Sequence, residues 1–411
     1  MSYLVANQIA LSCAPEGPLA VYLGPFAESL RREGYSQGSI RRKLMLAACF
    51  SRWLEQNEVA LRCITSGHLT RFLRCRARDC QVIRGDRASL DQFLNFLRRE
   101  SVIPAETALA DKPTPADCCV QQYEQYLRDA RGLADVTIHN YAPYVRDLLK
   151  HRFDDGPIAL WRLCARDIVG FVQRRAPRMH TRSTKLMTTA LRSFLQYARY
   201  CGSVKLDLAT AVPVVANWSM PSIPRAIAPP QIRQLLASID RRTPMGLRDY
   251  AIMLLLARLG LRSGEATFLE LDDIHWNAGR LSVRGKSGQR SDLPLPADVG
   301  KAIAAYLQRG RPRSTSRRVF LRVQAPLCGL GPDGIGSIVR ARLKRTGIEA
   351  PTYGAHQFRH GLATEMLRRG ASLGEIGELL GHRSPESTKI YAKVDLNALR
   401  SIALPWPGGV R

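Results

Sequence analysis

Apolar residues return at helical intervals over most of the chain. Phe26-Ala-Glu-Ser-Leu30-Arg31-Arg32 opens a first helix on that spacing, and further amphipathic runs predict helices near 39–55, 68–78 and 89–99. Residues 107 to 115 carry Pro113 and Pro115 and read as a connection. A second helical unit then repeats the apolar wording of the first. Phe26 and Leu30-Arg31 fall opposite Tyr123 and Leu127-Arg128, Ser39-Ile40 opposite Thr137-Ile138, Phe72 opposite Phe171, and Phe93-Leu94 opposite Phe194-Leu195. The offset drifts from 97 to 101 residues, as small loop insertions would make it. Duplication and the chance similarity of two amphipathic bundles both account for the match.

Pro213, Pro221, Pro224, Pro229 and Pro230 interrupt any regular element and mark a boundary. Beyond it the texture changes. Helices are expected at 231–239 and 248–259, and residues 280 to 296 alternate as a short hairpin around Gly285 and Gly288. Helices then dominate to about residue 404. The pattern predicts a mainly α protein with a small antiparallel β-sheet. Its expected parts are an N-terminal helical domain over 1–110, a second helical domain over 111–212, a linker over 213–226 and a C-terminal domain over 227–411.

The length of 411 residues suits two or three such domains, and 45% hydrophobic residues suffice for packed cores. Charge changes the picture more. The net charge is +26, and a folded chain this basic repels itself unless an acidic partner takes up the charge. Of 61 basic residues only ten are Lys, so Arg dominates. The planar guanidinium suits phosphate, which points to nucleic acid; a genome rich in Arg codons would bias composition the same way. Ten cysteines are scattered without a CxxC pair, and Cys75 and Cys80 have no second pair to complete a zinc pattern. No metal and no cofactor are expected, only idle thiols in a reducing compartment. No secretory signal is read, and no apolar run reaches the roughly 18 residues of a membrane span. A soluble cytoplasmic protein, with no membrane attachment, is expected.

Candidate chemistry gathers in the last 150 or so residues. In Tyr353-Gly-Ala-His356-Gln-Phe-Arg359-His360, a base and a guanidinium stand three apart and share a helix face. Phosphoryl transfer asks for such a pair, although the spacing alone is common. Ser372-Leu-Gly-Glu375 reads as a capping box that starts a helix, and Gly381 suits its end, so His382 stands at a helix terminus. Ser384-Pro385 reads as the cap and first residue of a last short helix, with Tyr391 about two turns in. Upstream, Leu259-Gly260-Leu261-Arg262-Ser263-Gly264-Glu265 places Arg262 between two helices, with Gly260 ending the first and Ser263 capping the second. Lys286 sits in the turn Val283-Arg284-Gly285-Lys286-Ser287-Gly288; a desolvated lysine can give up a proton near neutral pH and an arginine cannot. Taken singly, these are a half-buried tyrosine, a structural histidine and one more basic residue on a turn. Asp272-Asp273 reads as a helix-end or turn feature, and no carboxylate cluster suggests a pair of divalent ions.

Taken together, Arg262, Lys286, His356-x-x-Arg359, Leu380-Gly381-His382 and Tyr391 resemble, in order and spacing, the tyrosine recombinase family, also called the phage integrase family. The stretch from about 227 to 404 is similar to its catalytic domain, and 114–212 less specifically to its helical, SAM-like core-binding domain. The resemblance implies a metal-free transesterification. Tyr391 would attack a DNA phosphate and leave a 3′-phosphotyrosyl bond and a free 5′-hydroxyl. Arg262 and Arg359 would hold the non-bridging oxygens, His356 would help deprotonate the tyrosine, Lys286 would protonate the leaving oxygen, and His382 would hydrogen-bond the phosphate. Glu265 would support the arginines. The resemblance also implies double-stranded DNA gripped by two domains, with a tetramer on DNA. A tail helix over 396–404 could dock on a neighbouring subunit or fold back on its own domain.

The extended N-terminal region favours a recombinase of a mobile element, and it leaves room for partner recombinases or accessory DNA-bending proteins. Three rivals stay open: a type IB topoisomerase-like enzyme, a catalytically silent DNA-binding protein on the same scaffold, and a basic helical RNA-binding protein. The filled catalytic positions favour an active enzyme, and the ordered motifs tell against the RNA-binding reading.

Overall fold

The computed structural model describes residues 3–5, 9–11, 16–79, 85–104, 114–154, 156–215, 226–285, 290–350, 353–381, 384 and 387–394. The chain divides into two compact units, Met1–Ile103 with Met220–Arg411, and Pro104–Ser219. Each is taken by itself.

The first unit opens with a small antiparallel pair, β1 (Tyr3–Val5) and β2 (Ile9–Leu11). A four-helix bundle follows, made of α1 (Leu23–Arg32), α2 (Gln37–Gln56), α3 (Ser66–Asp79) and α4 (Asp86–Arg99). The Ser36 hydroxyl accepts the Ser39 backbone N–H at 3.3 Å and so starts α2. Phe26 of α1 packs on Phe93 and Phe96 of α4, with centroids 4.8 and 5.4 Å apart. Leu30, Ile40, Phe50 and Leu69 complete the buried centre.

The second unit is a separate bundle of α5 (Pro115–Asp129), α6 (Asp135–Phe153), α7 (Ala165–Arg175) and α8 (Thr181–Tyr200). Thr114 and Asp117 form a reciprocal capping box at its entry. Here Tyr123 meets Phe194 edge-on at 5.3 Å. The six apolar pairs matched in the sequence, from Phe26 and Tyr123 to Leu94 and Leu195, are all buried, each in its own bundle. Both bundles also place a 3-10 turn between second and third helices, Leu61–Cys63 and Leu160–Arg162.

The C-terminal part of the first unit is built around α10 (Pro244–Leu259), preceded by α9 (Pro229–Ala237). Residues Ala251 to Leu256 are buried without a break, so the middle of α10 has no solvent face to pattern and becomes the core itself. Short α11 (Ser263–Thr267) leads to a three-stranded antiparallel sheet of β3 (Ile274–His275), β4 (Arg280–Arg284) and β5 (Arg290–Pro294). The predicted hairpin is thus present, with Leu281 opposite Leu293 and Ser282 opposite Asp292. Then come α12 (Ala297–Arg309), α13 (Gly334–Arg345), α14 (His356–Arg368), α15 (Leu373–Leu379) and a 3-10 helix, Lys389–Val394.

Three local expectations change. Residues 310–333 are irregular, not helical. The Arg311 guanidinium replaces helical bonds there by holding the carbonyls of Ser316, Arg318 and Val319 at 2.6, 2.9 and 3.3 Å. Arg262, not Ser263, takes the N-cap position of α11, because the Glu265 carboxylate accepts the Arg262 backbone N–H at 2.8 Å and the helix starts one residue early. Tyr391 lies in a tight 3-10 helix where an α-helix was expected; its N–H donates to the Thr388 carbonyl, three residues back, at 3.0 Å. Most of the linker and the expected helix over 396–404 lie outside the described residues.

A buried ionic triad fixes α10 against α13. Asp249 accepts two bonds from Arg248 at 3.0 and 2.8 Å and two from Arg342 at 2.9 and 2.6 Å, and Arg248 also donates to the Leu321 carbonyl at 3.1 Å. Removing one partner of such a group strands buried charge, which costs far more than the intact triad contributes. Asp249→Ala is therefore expected to destabilise the protein by about 3–5 kcal/mol. Urea unfolding checks this, and a loss below about 1 kcal/mol would contradict the buried placement.

Candidate active site

The site forms where three helix ends meet. Gly260 closes α10 with φ at +59°, a left-handed conformation that suits glycine. A Cβ here would stand 2.9 Å from Leu380 and 3.0 Å from Leu362, so the turn also needs the missing side chain to approach α14 and α15. Gly381, with φ at +58°, ends α15 in the same way. Both turns aim carbonyls at one place.

Arg359, the fourth residue of α14, reaches into that place. Its Nη1 donates to the Gly260 carbonyl at 2.9 Å and its Nη2 to the Leu380 carbonyl, and only 4% of the residue is exposed. Arg262 arrives from the other side. Its Nη2 donates to the Gly381 carbonyl at 3.2 Å and its Nη1 to the Glu265 carboxylate at 2.6 Å. Glu265 thus holds both the backbone and the side chain of Arg262. Burial, with Arg262 beside it, lowers the Arg359 pKa to about 10, which leaves its guanidinium charged at neutral pH. Arg262 and Arg359 border an open cleft of about 610 Å³ whose lining includes Glu265, Val283, Ser291 and Ser387.

Tyr391 sits beside this pair, packed among Ala363, Ile376 and Leu380 and 1% exposed. Its hydroxyl is 2.9 Å from His360 Nδ1. Burial pushes the phenol pKa up, with Arg359 pulling against it. Burial, then His356 and Arg359, pushes the His360 pKa down, so its ring is neutral at neutral pH and can accept the phenol proton's hydrogen bond.

The sequence-predicted residues fare differently. Arg262, Arg359 and Tyr391 come together. His356 opens α14 on an exposed turn, and its ring centroid lies 6.4 Å from that of His360. The expected shared face of His356 and Arg359 is therefore only partial: Arg359 turns inward to the carbonyls while His356 stays outside. Lys286 and His382 lie outside the described residues, although the adjacent Gly285 and Gly381 line the cleft. The residue that sequence reasoning passed over is His360. Its signal was the four-residue step from His356, which puts both imidazoles on one helix face.

Comparisons with known proteins agree in direction. Residues 225–397 match the phage integrase family, and residues 120–201 match the phage integrase N-terminal SAM-like domain. The chain is 57% identical to the integrase/recombinase y4rA of Sinorhizobium fredii (strain NBRC 101917 / NGR234), over 99% of both chains. It is 31% identical to the tyrosine recombinase XerD of Listeria monocytogenes serotype 4b (strain F2365), over 69% of this chain and 96% of that one. In fold it is similar to the XerH site-specific recombinase bound to palindromic difH substrate, with a TM-score of 0.56 and 18% identity over 75% of this chain and 92% of that one.

The lowered pKa of His360 sets a direction for pH. A histidine depressed in the folded state contributes stability that is present above its unfolded value near 6.5 and is lost as pH falls through the folded value. Protonation also removes the acceptor for the Tyr391 hydroxyl. Histidine NMR is expected to show His360 titrating below 6.5 in the wild type and rising toward 6.5 if acid loosens the 389–394 segment; a wild-type value above 6.5 would refute the buried pairing.

Proposed function

Because the chain belongs to the phage integrase, or tyrosine recombinase, family, we propose that it is a site-specific recombinase that cuts and rejoins double-stranded DNA through a 3′-phosphotyrosyl intermediate on Tyr391, in the service of a mobile genetic element. The observation that carries this reading is the pair of guanidinium groups fixed on the Leu380 and Gly381 carbonyls beside a buried tyrosine. Two cations held by backbone cannot follow the substrate, so they favour the geometry in which phosphate charge changes most, the pentacoordinate transition state.

In the proposed reaction the Tyr391 oxygen forms a bond to phosphorus as the bond to the 5′-oxygen breaks. The phenol proton passes to a histidine, His356 or its neighbour His360. Lys286 delivers a proton to the departing 5′-oxygen, and His382 donates to the phosphate. Phosphodiester energy is kept in the phosphotyrosine, and a 5′-hydroxyl from the partner duplex reverses each step. Because exchange needs two duplexes, the working assembly is a tetramer on DNA. Its three parts are residues 1–110, the SAM-like bundle over 111–212 and the catalytic domain over 227–411, joined by the linker over 213–226. Among the described residues no helix is long and apolar enough to cross a membrane.

The test is covalent trapping on nicked duplexes drawn from the flanks of the chain's own gene. Wild type is expected to give a denaturant-resistant protein–DNA band and Tyr391→Phe none. An adduct that survives in Tyr391→Phe would displace the nucleophile. Rapid relaxation of a plasmid without any specific site would favour a topoisomerase-like activity instead.

A further inference from the structure

We propose that the first bundle, residues 16–103, is a second duplex-binding module that takes the DNA phosphate backbone on the outer face of α3. The proposal rests on the recombinase reading and extends it to a segment with no assigned role.

The two bundles agree beyond their apolar pairs. Ala60-Leu61-Arg62-Cys63-Ile64-Thr65 stands opposite Ala159-Leu160-Trp161-Arg162-Leu163-Cys164, and both stretches form the 3-10 turn before the third helix. In each, the residue before that helix donates its backbone N–H to a side chain three residues on, Thr65 to His68 at 3.2 Å and Cys164 to Asp167 at 3.0 Å. Residues 16–103 carry 15 Lys and Arg against nine Asp and Glu, and residues 114–212 carry the same 15 against nine. The first bundle is therefore built like a domain of a DNA-handling family and keeps its charge balance.

Where that charge lies decides the partner. Within the first bundle, Glu28, Asp86, Glu16 and Asp91 are engaged by Arg31, Arg42, Arg52 and Arg87. Arg71, Arg74 and Arg78 of α3 are exposed and have no ion-pair partner among the described residues. At steps of three and four they occupy one stripe, opposite buried Leu69 and Phe72. The stripe runs about 10 Å along the helix axis, close to the rise of three phosphates on one strand. Fourteen of the bundle's 15 basic residues are Arg, whose planar fork fits phosphate oxygens better than an ammonium does. A row of three exposed guanidinium groups at phosphate spacing fits a nucleic-acid backbone better than a protein or membrane surface.

The full chain and a variant with Arg71→Ala, Arg74→Ala and Arg78→Ala are titrated onto a long mixed-sequence duplex over a range of KCl, with fluorescence anisotropy as readout. Each lost phosphate contact removes about 0.9 from the slope of log K against log salt, so the variant's slope is expected to fall by about 3. Its Tyr391 adduct on a short duplex spanning only the cleavage site is expected to match wild type. A steep wild-type profile that the variant reproduces would overturn the module and leave the recombinase reading intact. The same profile with altered self-association would assign the face to protein contacts and overturn the proposal as well. A flat profile in the wild type would sink the DNA reading itself, and this proposal with it.

Discussion

A single buried guanidinium holds the catalytic region in register. Arg359 spends two of its donors on main-chain carbonyls, one at the end of α10 and one at the end of α15. Those carbonyls are the orphan acceptors that every helix C-terminus leaves behind. A buried cation is tolerable only when its donors are met, and buried acceptors are tolerable only when they are paired. Each solves the other's problem here, and the solution works only if α10 and α15 end where α14 begins. Glycines at 260 and 381 make that convergence sterically possible, since both take positive φ and Gly260 has two leucine side chains within reach of any Cβ. Arg262 is carried to the site by the same turn, and Glu265 then fixes its orientation.

This dependence explains which features were legible in sequence. Glycine, serine and glutamate at caps act through bonds three residues away, so the ends of α10 and α15 and the Ser372–Glu375 box could be read directly. The apolar periods of the bundles could be read for the same local reason. What could not be read was anything decided at a distance. The inward turn of Arg359 depends on carbonyls 99 and 21 residues away, and it buries Arg359 while His356, three residues earlier, stays exposed. The irregular path of 310–333 depends on Arg311 finding three carbonyls, a pattern with no periodicity to betray it. The first residue of α11 was misread because a serine was expected to cap, whereas glutamate capped from within the helix.

The paired bundles show the same division between inside and outside. Phe26 with Phe93 and Tyr123 with Phe194 keep equivalent aromatic contacts at 4.8 and 5.3 Å, because a close-packed core resists change in volume. Their surfaces have no such constraint. Arg71 stands opposite Gly170 and Arg74 opposite Gln173, so a basic stripe on one bundle has no copy at the same positions of the other. An interior held in common beneath differing surfaces is what one architecture put to two separate contacts requires.

On the reading of Tyr391 as nucleophile, its placement has a kinetic consequence. A phenol with an ordinary pKa near 10 is ionised to about one part in a thousand at neutral pH. Burial pushes that fraction lower still, and His360 occupies the hydroxyl. The group that favours ionisation, the guanidinium of Arg359, is already committed to the Gly260 and Leu380 carbonyls. The resting arrangement therefore disfavours the reactive form. A phosphate entering the cleft would compete with the carbonyls for the guanidinium groups of Arg359 and Arg262. The contacts it would draw on are those that tie the end of α15 to α10 and α14, and Tyr391 packs against Leu380 at that same end. On that reading, substrate binding and exposure of the nucleophile would draw on one set of hydrogen bonds, and the tyrosine would gain reactivity only where a phosphate is present to be attacked.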